Sequence, residues 1–288
     1  MAADPGTKTF LLGVGCQKGG TTWLQAYLAA APECDPGFGL EYTIFDSLDV
    51  PEHTVVRGKI FERARASLEA VEAGTPTRPN DLLRLAMMAD TRVYYDYFAD
   101  LLRRPGISLA MDITPNYALL PEARLREIRA ELGQRGARPA AVFVMRDPVE
   151  RVWSQVRMHK QRGARANPTP DHVLVERRYA KSTTELRTRY EATVRRLDDV
   201  FGEDVHYVFY EQLFAEAPLR SLSDFLGIAY RPTDVSRRLN VSPKEAEALP
   251  DETVRQVAQH FRSTYEFVAD RFGVADLPAL WPSSRFLE

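Results

Sequence analysis

A glycine-rich loop at residues 13–22 is the first segment whose residue types and spacing could bind an anion. It reads GVGCQKGGTT and lies between an apolar run at residues 9–14 and a segment with helical spacing at residues 21–31. In a strand, loop and helix of this kind, successive backbone N–H groups and the amino end of the helix point at the ligand of the loop. The pattern therefore predicts a loop that binds phosphate or a similar anion.

The loop differs from the nucleoside triphosphatase pattern GxxxxGK[ST] in the position of its cation. Gly15 and Gly20 match the two glycines, and Thr22 matches the last hydroxyl. Thr21 stands where the lysine belongs, and the lysine of this chain is Lys18. In a triphosphatase that lysine reaches the β and γ phosphates and the hydroxyl holds Mg²⁺. The different position of the lysine indicates that the loop binds a group donor other than a nucleoside triphosphate. The alternative is a P-loop nucleotide or small-molecule kinase.

A second group of polar residues, RDPVERVWS at 146–154, follows the apolar run 139–145. Pro148 suits the first turn of a helix. Arg146 would then lie at the carboxyl end of a strand and Ser154 two turns into the following helix. A guanidinium supplies a planar charged fork and a hydroxyl one more donor, so the two side chains could bind one phosphate.

These motifs lie within an alternation of apolar runs and helical patterns. The alternation predicts an α/β protein, a single domain over residues 1–288, with a central parallel sheet flanked by helices on both faces. Strands are expected at residues 9–14, 107–113, 139–145 and 205–210, and helices at 21–31, within 52–104, at 122–132, from 148, at 185–201, 219–226 and 251–272. The last of these is expected to cover the sheet edge, and residues 162–171 are expected to form a loop.

Four motifs, QKGGTT, RDPVERVWS, LEYTIF and DITPNY, make the chain similar over essentially its whole length to the sulfotransferases that use 3′-phosphoadenosine 5′-phosphosulfate (PAPS). The resemblance implies a P-loop sulfotransferase fold, closer to the bacterial and glycosaminoglycan-type branch than to the cytosolic phenol and steroid branch with its histidine base. It also implies PAPS as co-substrate, adenosine 3′,5′-bisphosphate as product and no required metal. The residues that would hold the 5′-phosphosulfate are Gln17, Lys18, Gly19, Gly20, Thr21, Thr22 and Trp23, with packing as the alternative role of Trp23.

The resemblance also assigns the rest of the donor site. Arg146 and Ser154 have the family's spacing of eight and would hold the 3′-phosphate, while Lys244 lies where a basic loop often closes over it. In the family, the lysine at the position of Lys18 lies near the bridging oxygen, where it neutralises charge on the leaving phosphate. The segment RTRY at 187–190 resembles the block that precedes a late helix of the family.

An acceptor hydroxyl needs a base, and the resemblance makes Glu41 the first candidate. The family places a glutamate in a K-E-x-H-F-F-like block, where this chain has Leu40 in place of the basic residue and Thr43 in place of the histidine. Asp112 is the second catalytic carboxylate, as the base or as an orienting group. Acceptor specificity is expected to lie in residues 36–110 and 160–185, with Tyr42, Thr114 and Tyr117 in contact with the substrate.

Composition limits the partners and the compartment. A net charge of −2 provides no global field for a nucleic acid, so we expect none as a partner. The two cysteines are too few for a disulfide framework, and we find no long apolar run, which together predict a cytoplasmic protein without a membrane span. Abundant Arg and Ala indicate a bacterial source. The expected acceptor is a small molecule, lipid or saccharide; the oligomeric state stays open, and a non-catalytic nucleotide-binding module is a further alternative.

Overall fold

The computed structural model describes residues 6–163, 167–232 and 248–287. Their centre is a five-stranded sheet in the order β2-β3-β1-β4-β5, in which every neighbouring pair is parallel. This confirms the predicted α/β class and parallel sheet. The strands are β1 Thr9–Gly15, β2 Cys34–Asp35, β3 Leu109–Ile113, β4 Arg138–Met145 and β5 Val205–Phe209.

Helices connect the strands and cover the sheet. They are α1 Thr21–Ala29, α2 Phe45–Asp49, α3 Thr54–Glu72, α4 Pro79–Ala89, α5 Thr91–Arg103, α6 Glu122–Gln134, α7 Pro148–Arg162, α8 Asp171–Glu176, α9 Ser182–Glu185, α10 Tyr190–Phe201, α11 Glu216–Leu226, α12 Asp251–His260, α13 Arg262–Phe272 and α14 Leu277–Leu280. Short 3-10 helices lie at Pro51–His53, Pro115–Leu119, Gly202–Asp204 and Pro282–Leu287. None of the described helices is both long and apolar enough to cross a lipid bilayer.

Two apolar cores lie on the two faces of the sheet. Successive side chains of a strand point to opposite faces, so Phe10 and Leu12 enter one core and Leu11 the other. The first core packs against α5, α6, α7 and α10, and the second against α1 and α11. Burial on both faces explains why the strands are almost continuously apolar in sequence.

The strand order places three chemistry-bearing segments at one edge. β1 has β3 on one side and β4 on the other, so the sheet order changes direction at β1. Because the strands are parallel, the loop after β1, the residues after β3 and the residues after β4 all leave the same edge of the sheet. Ligands of open α/β sheets bind at such a point, outside the carboxyl ends of the strands.

The structure differs from the sequence predictions at three elements. β2 was not expected, because two residues carry no periodicity; it pairs with Leu109 and Ala110 of β3. The helix expected over residues 251–272 is interrupted at the buried Phe261, which separates α12 from α13. The helix expected from residue 185 begins at Tyr190, after the separate short helix α9.

The carboxyl-terminal helices cover the edge strand β5, as expected. Phe272 of α13 packs edge-on against Tyr207 and Phe209 of that strand. The expected loop over residues 162–171 falls partly outside the described residues, since 164–166 are not among them.

Candidate active site

Two glycines shape the loop after β1. A Cβ at Gly19 would lie 2.9 Å from Cys16 Sγ and 3.1 Å from the carbonyl oxygen of Val144, so the chain passes too close to its surroundings for a side chain there. Gly20 has a left-handed φ of 82° and is the amino-terminal cap of α1, without a side-chain hydrogen bond. The N–H groups of the first helical turn have no acceptor within the helix, so they are available to an anion in the loop.

Lys18 joins the loop to the residues after β4. Its backbone is also left-handed, with a φ of 72°. Its carbonyl oxygen accepts a hydrogen bond of 3.0 Å from Arg146 Nη1. The loop after β1 and the residues after β4, which the sequence analysis assigned to a single PAPS molecule, are therefore in direct contact.

Two contacts hold the Arg146 guanidinium in place, and its Nε–H group has no acceptor among the described residues. Nη2 contacts Glu150 Oε2 at 3.2 Å, and the guanidinium carbon lies 4.3 Å from the centre of the Tyr210 ring. Nε is buried and has no hydrogen-bond partner among the described residues. Buried polar groups are nearly always hydrogen-bonded, so this nitrogen is available to donate to a bound ligand or a water molecule.

A second cation beside Arg146 was missed by the sequence analysis. Ser154 is buried on α7, and Arg157 follows it by one helical turn. The Arg157 guanidinium stacks 4.1 Å from the Trp153 ring centre, and its buried Nε has no partner in the described part of the chain. Burial lowers the pKa of Arg157, with the charge of Glu150 opposing and that of Arg146 reinforcing the change. The i, i+3 spacing from Ser154 was the available signal.

Two carboxylates, those of Asp147 and Glu211, connect the residues after β4 to later parts of the chain. Asp147 caps α7 by accepting from the Val149 N–H, and it also accepts from the Tyr265 hydroxyl at 2.8 Å and the Ser283 N–H at 3.0 Å. Glu211 accepts from the Asp147 N–H at 3.1 Å. Burial raises the pKa of Asp147 and raises that of Glu211 to about 7. The backbone at Arg146 is thus fixed by contacts on several sides.

Glu41 is exposed, and the backbone around it is held by hydrogen bonds. The Glu41 carbonyl accepts from Arg84 Nη2 at 3.1 Å. The next N–H, that of Tyr42, donates to Thr114 Oγ1 at 3.0 Å, and the Ile44 N–H donates to the Tyr117 hydroxyl at 3.3 Å. The segment that carries the predicted base is therefore held by residues that follow β3.

Asp112 lies behind this segment and is fully buried. Its two oxygens accept from Thr114 Oγ1 at 2.6 Å and from the Tyr94 hydroxyl at 2.8 Å. Burial raises the pKa of Asp112 to about 6, and the two hydroxyl donors limit the rise. Tyr42, Thr114 and Tyr117, which the sequence assigned to the substrate, are buried within the same network. Their contact with an acceptor stays a prediction, whereas their support of the Glu41 segment is direct.

The remaining expected donor residues have different positions. Trp23 is buried, stacks on Tyr27 with ring centres 5.5 Å apart and meets Phe214 edge-on, so it packs in the second core. Thr21 is buried and Thr22 exposed at the start of α1. Lys244 lies outside the described residues.

A cavity of about 360 Å³ lies apart from these residues. Its lining includes none of the residues named individually as donor, base or substrate residues, and strands contribute nothing to it, but more than half of its lining residues lie in the ranges 36–110 and 160–185 where acceptor specificity is expected. The lining residues are Asp49, Val50, Pro51, Glu52, Leu119, Ser182, Glu185, Leu186, Arg189, Ala192 and Arg196. The cavity is therefore lined partly by segments that are expected to determine acceptor specificity, and not by the loop after β1 or the residues after β4.

Comparison with known proteins gives one family and a set of similar folds. A family model described as the sulfotransferase family matches residues 11–232. The structure resembles that of a sulfotransferase from Alicyclobacillus acidocaldarius, with a TM-score of 0.58, 18% sequence identity and coverage of 94% of this chain and 97% of that one. No curated protein sequence matches the chain.

A weaker likeness joins the chain to the sulfotransferase domain of the curacin biosynthetic pathway. The TM-score is 0.47 and the identity 16%, with 91% of this chain and 99% of that domain covered.

Proposed function

The chain belongs to the sulfotransferase family, and from this premise we propose that it transfers the sulfuryl group of PAPS to an acceptor hydroxyl. The observation that carries the proposal is the hydrogen bond between Arg146 and the Lys18 carbonyl, which joins two anion-binding segments. PAPS has a phosphosulfate on its 5′ carbon and a phosphate on its 3′ carbon. One PAPS molecule would therefore occupy both segments.

In this proposal each of the two segments binds a different part of PAPS. The N–H groups of the loop and the first turn of α1 bind the 5′-phosphosulfate, together with the Lys18 ammonium. Arg146 and Ser154 bind the 3′-phosphate, and Arg157 adds a second guanidinium. The Nε atoms of both arginines are buried without a partner in the described ranges, and this supports the proposal that an anion binds here.

The chemistry is an in-line displacement at sulfur. Glu41 takes the proton of the acceptor hydroxyl while the hydroxyl oxygen bonds to sulfur. Lys18 neutralises the charge that develops on the 5′-phosphate oxygen as its bond to sulfur breaks. The products are a sulfate ester and adenosine 3′,5′-bisphosphate, and no metal takes part.

The two candidate carboxylates differ in exposure, and we assign them different roles on this basis. Glu41 is exposed, so an acceptor can reach it. Both oxygens of Asp112 already accept hydrogen bonds from Thr114 and Tyr94 in the interior. We therefore propose Glu41 as the base and Asp112 as a positioning residue that holds the Glu41 segment through Thr114.

The proposed acceptor is a hydroxyl of a small molecule, lipid or saccharide. Both cysteines are buried free thiols, as is usual in a reducing compartment. We propose that the reaction takes place in the cytoplasm.

Calorimetric titration tests the donor site. The protein is titrated in EDTA with adenosine 3′,5′-bisphosphate, with adenosine 5′-monophosphate as the matched ligand without the 3′-phosphate, and with ADP in the presence and absence of Mg²⁺. We expect micromolar binding of the bisphosphate without metal and at least tenfold weaker binding of the other two nucleotides. Magnesium-dependent ADP binding without bisphosphate binding would instead favour a kinase.

A further inference from the structure

The cavity of about 360 Å³ lies between three separate segments of the chain. Its lining comes from residues 49–52 after α2, from Leu119 after β3, and from the stretch between Ser182 and Arg196. Several lining residues, including Leu186, are exposed, so a ligand can enter from solvent. The volume lies in the lower part of the range of about 300–1,000 Å³ that is typical of small-molecule sites.

Hydrogen bonds of Arg187 hold these three segments together. Nε donates to Asn116 Oδ1 at 3.2 Å, and Asn116 belongs to the same 3-10 helix as Leu119. Nη2 lies 2.7 Å from Nε2 of His53, the residue that follows Glu52. A guanidinium can only donate, so the histidine nitrogen accepts. The protein's own contacts thus fix the segments relative to one another, as expected of a preformed binding cavity.

The acidic side chains of the lining are paired or exposed. Asp49 accepts from Arg124 at 2.6 and 3.1 Å. Glu185 accepts from Arg189 at 3.0 Å. Glu52 is exposed, where solvent and salt screen its charge. An anionic ligand in the cavity would therefore meet little repulsion from these carboxylates.

Arg196 is the lining cation that makes no ion pair with a carboxylate among the described residues. Nη2 donates to the Ala118 carbonyl oxygen at 2.6 Å and to Thr193 Oγ1 at 3.4 Å, both of which are neutral acceptors. Nε is buried and has no partner in the described part of the chain. Burial lowers the pKa of Arg196, and the charge of Glu122 opposes this change. An anion beside such a half-buried guanidinium would supply the missing opposite charge.

Apolar side chains supply much of the remaining lining. These are Val50, Pro51, Leu119, Leu186 and Ala192. Leu186 is 47% exposed, although it is large and hydrophobic. A ligand that covers these side chains removes apolar surface from water, which favours binding. The cavity therefore combines apolar walls with one cation that has no carboxylate partner in the described ranges.

We infer that this cavity is a binding site for a small organic carboxylate with an apolar body. The apolar side chains cover the body, and Arg196 donates to the carboxylate, whose planar shape matches a guanidinium. None of the lining residues belongs to the loop after β1 or to the residues after β4, so this site is separate from the one proposed for PAPS. The inference goes beyond the proposed function and does not depend on it.

The test is a ligand-observed NMR titration of the full chain without nucleotide. The probes are β-naphthoate and β-naphthamide, which have nearly the same shape and differ in charge. We expect the naphthoate to bind at least tenfold more tightly than the naphthamide. Arg196→Gln should remove this difference, and Arg196→Lys should retain part of it. Arg195→Gln is the matched control, because Arg195 is the exposed neighbour on α10 and does not line the cavity.

A second variant tests the cavity itself. Ala192 lines the cavity from an exposed position on α10, so Ala192→Phe should fill part of the space without disturbing the core. Both probes should then bind at least tenfold more weakly, whereas Ala192→Ser, which hardly changes the volume, should bind them as the wild type does. Circular dichroism verifies that each variant is folded. Saturation with adenosine 3′,5′-bisphosphate should leave the naphthoate affinity of the wild type within twofold of its original value.

Several results would overturn the inference. The two probes could bind the wild type equally or not at all, or Arg196→Gln could keep the full preference for naphthoate. Naphthoate binding that Ala192→Phe leaves intact would place the probe outside the cavity. Displacement of naphthoate by the bisphosphate would assign the probe to the donor site instead. Failure of the bisphosphate to bind would count against the proposed function alone, because the naphthoate titration needs no nucleotide.

Discussion

The donor side and the acceptor side of the site are built in different ways. The donor side consists of two contiguous segments, the loop after β1 and the residues after β4, which one hydrogen bond joins. The proposed acceptor side consists of single residues from distant parts of the chain, such as Tyr42 and Thr114, which are 72 residues apart in sequence. A contiguous motif can be recognised in a sequence, whereas a set of single side chains becomes visible only after folding.

The largest effect is expected at the base. Glu41→Gln keeps the shape of the side chain but removes its ability to accept a proton, so sulfuryl transfer should slow by about 10³-fold. The rate is measured with labelled PAPS and the best acceptor of a panel of hydroxy compounds. Bisphosphate affinity should not change, and Glu62→Gln, an exposed glutamate of α3, is the control. An unchanged rate would remove Glu41 from the mechanism and leave the donor side intact.

The next effect is expected on the donor side. Arg146→Ala removes the guanidinium proposed to bind the 3′-phosphate, and hydrogen bonds to charged groups contribute about 1.5–3 kcal/mol each. Calorimetry should show roughly a hundredfold loss of bisphosphate affinity, with little change for adenosine 5′-monophosphate. Arg126→Ala, which removes an exposed arginine paired with Glu122, should change neither value. Equal losses for both nucleotides would mean that Arg146 does not recognise the 3′-phosphate.

A smaller effect is expected at Thr114, which supports the Glu41 segment on the proposed acceptor side. Thr114→Val leaves the Tyr42 N–H and one Asp112 oxygen without their partner, so the Glu41 segment should be less well positioned. We expect kcat to fall about tenfold with little change in KM, and Thr114→Ser to restore most of it. Thr9→Val is the control, since the buried hydroxyl of Thr9 has no partner among the described residues. A loss that serine does not restore would indicate a packing effect.

The smallest effect concerns stability. Burial raises the pKa of Glu211 to about 7, so between its unfolded pKa near 4.5 and 7 the folded chain binds more protons than the unfolded chain. The free energy of unfolding should therefore decrease as pH rises through this window. Denaturant unfolding should show a shallower slope in Glu211→Gln and no change in Glu216→Gln. A slope unaffected by Glu211→Gln would exclude this carboxyl as the cause.

The sequence was sufficient for the sheet and the donor motifs because their signals are local. Apolar runs and glycines predicted β1, β3, β4 and β5, and the strand order brings together the two segments that are proposed to bind anions. Two-residue β2 and the break at Phe261 were not predicted, since neither leaves a periodic pattern.

The acceptor side could not be predicted in the same way. Asp112 and Thr114 were singled out by their motif, but their burial behind Glu41 depends on packing of α5 against β3, which brings the Tyr94 hydroxyl to Asp112. Similarly, Arg151 lies within a motif that the sequence highlighted, but only the fold shows that two of its nitrogens are buried with no partner in the described part of the chain. Burial and missing partners are properties of the fold, so sequence patterns do not report them.

The most direct test of the account is a crystal structure of the protein with adenosine 3′,5′-bisphosphate bound in EDTA. The account predicts the 5′-phosphate in the loop at the amino end of α1 and the 3′-phosphate within hydrogen-bond distance of Arg146 and Ser154. A bisphosphate bound elsewhere, or one whose 3′-phosphate lies away from both side chains, would contradict it.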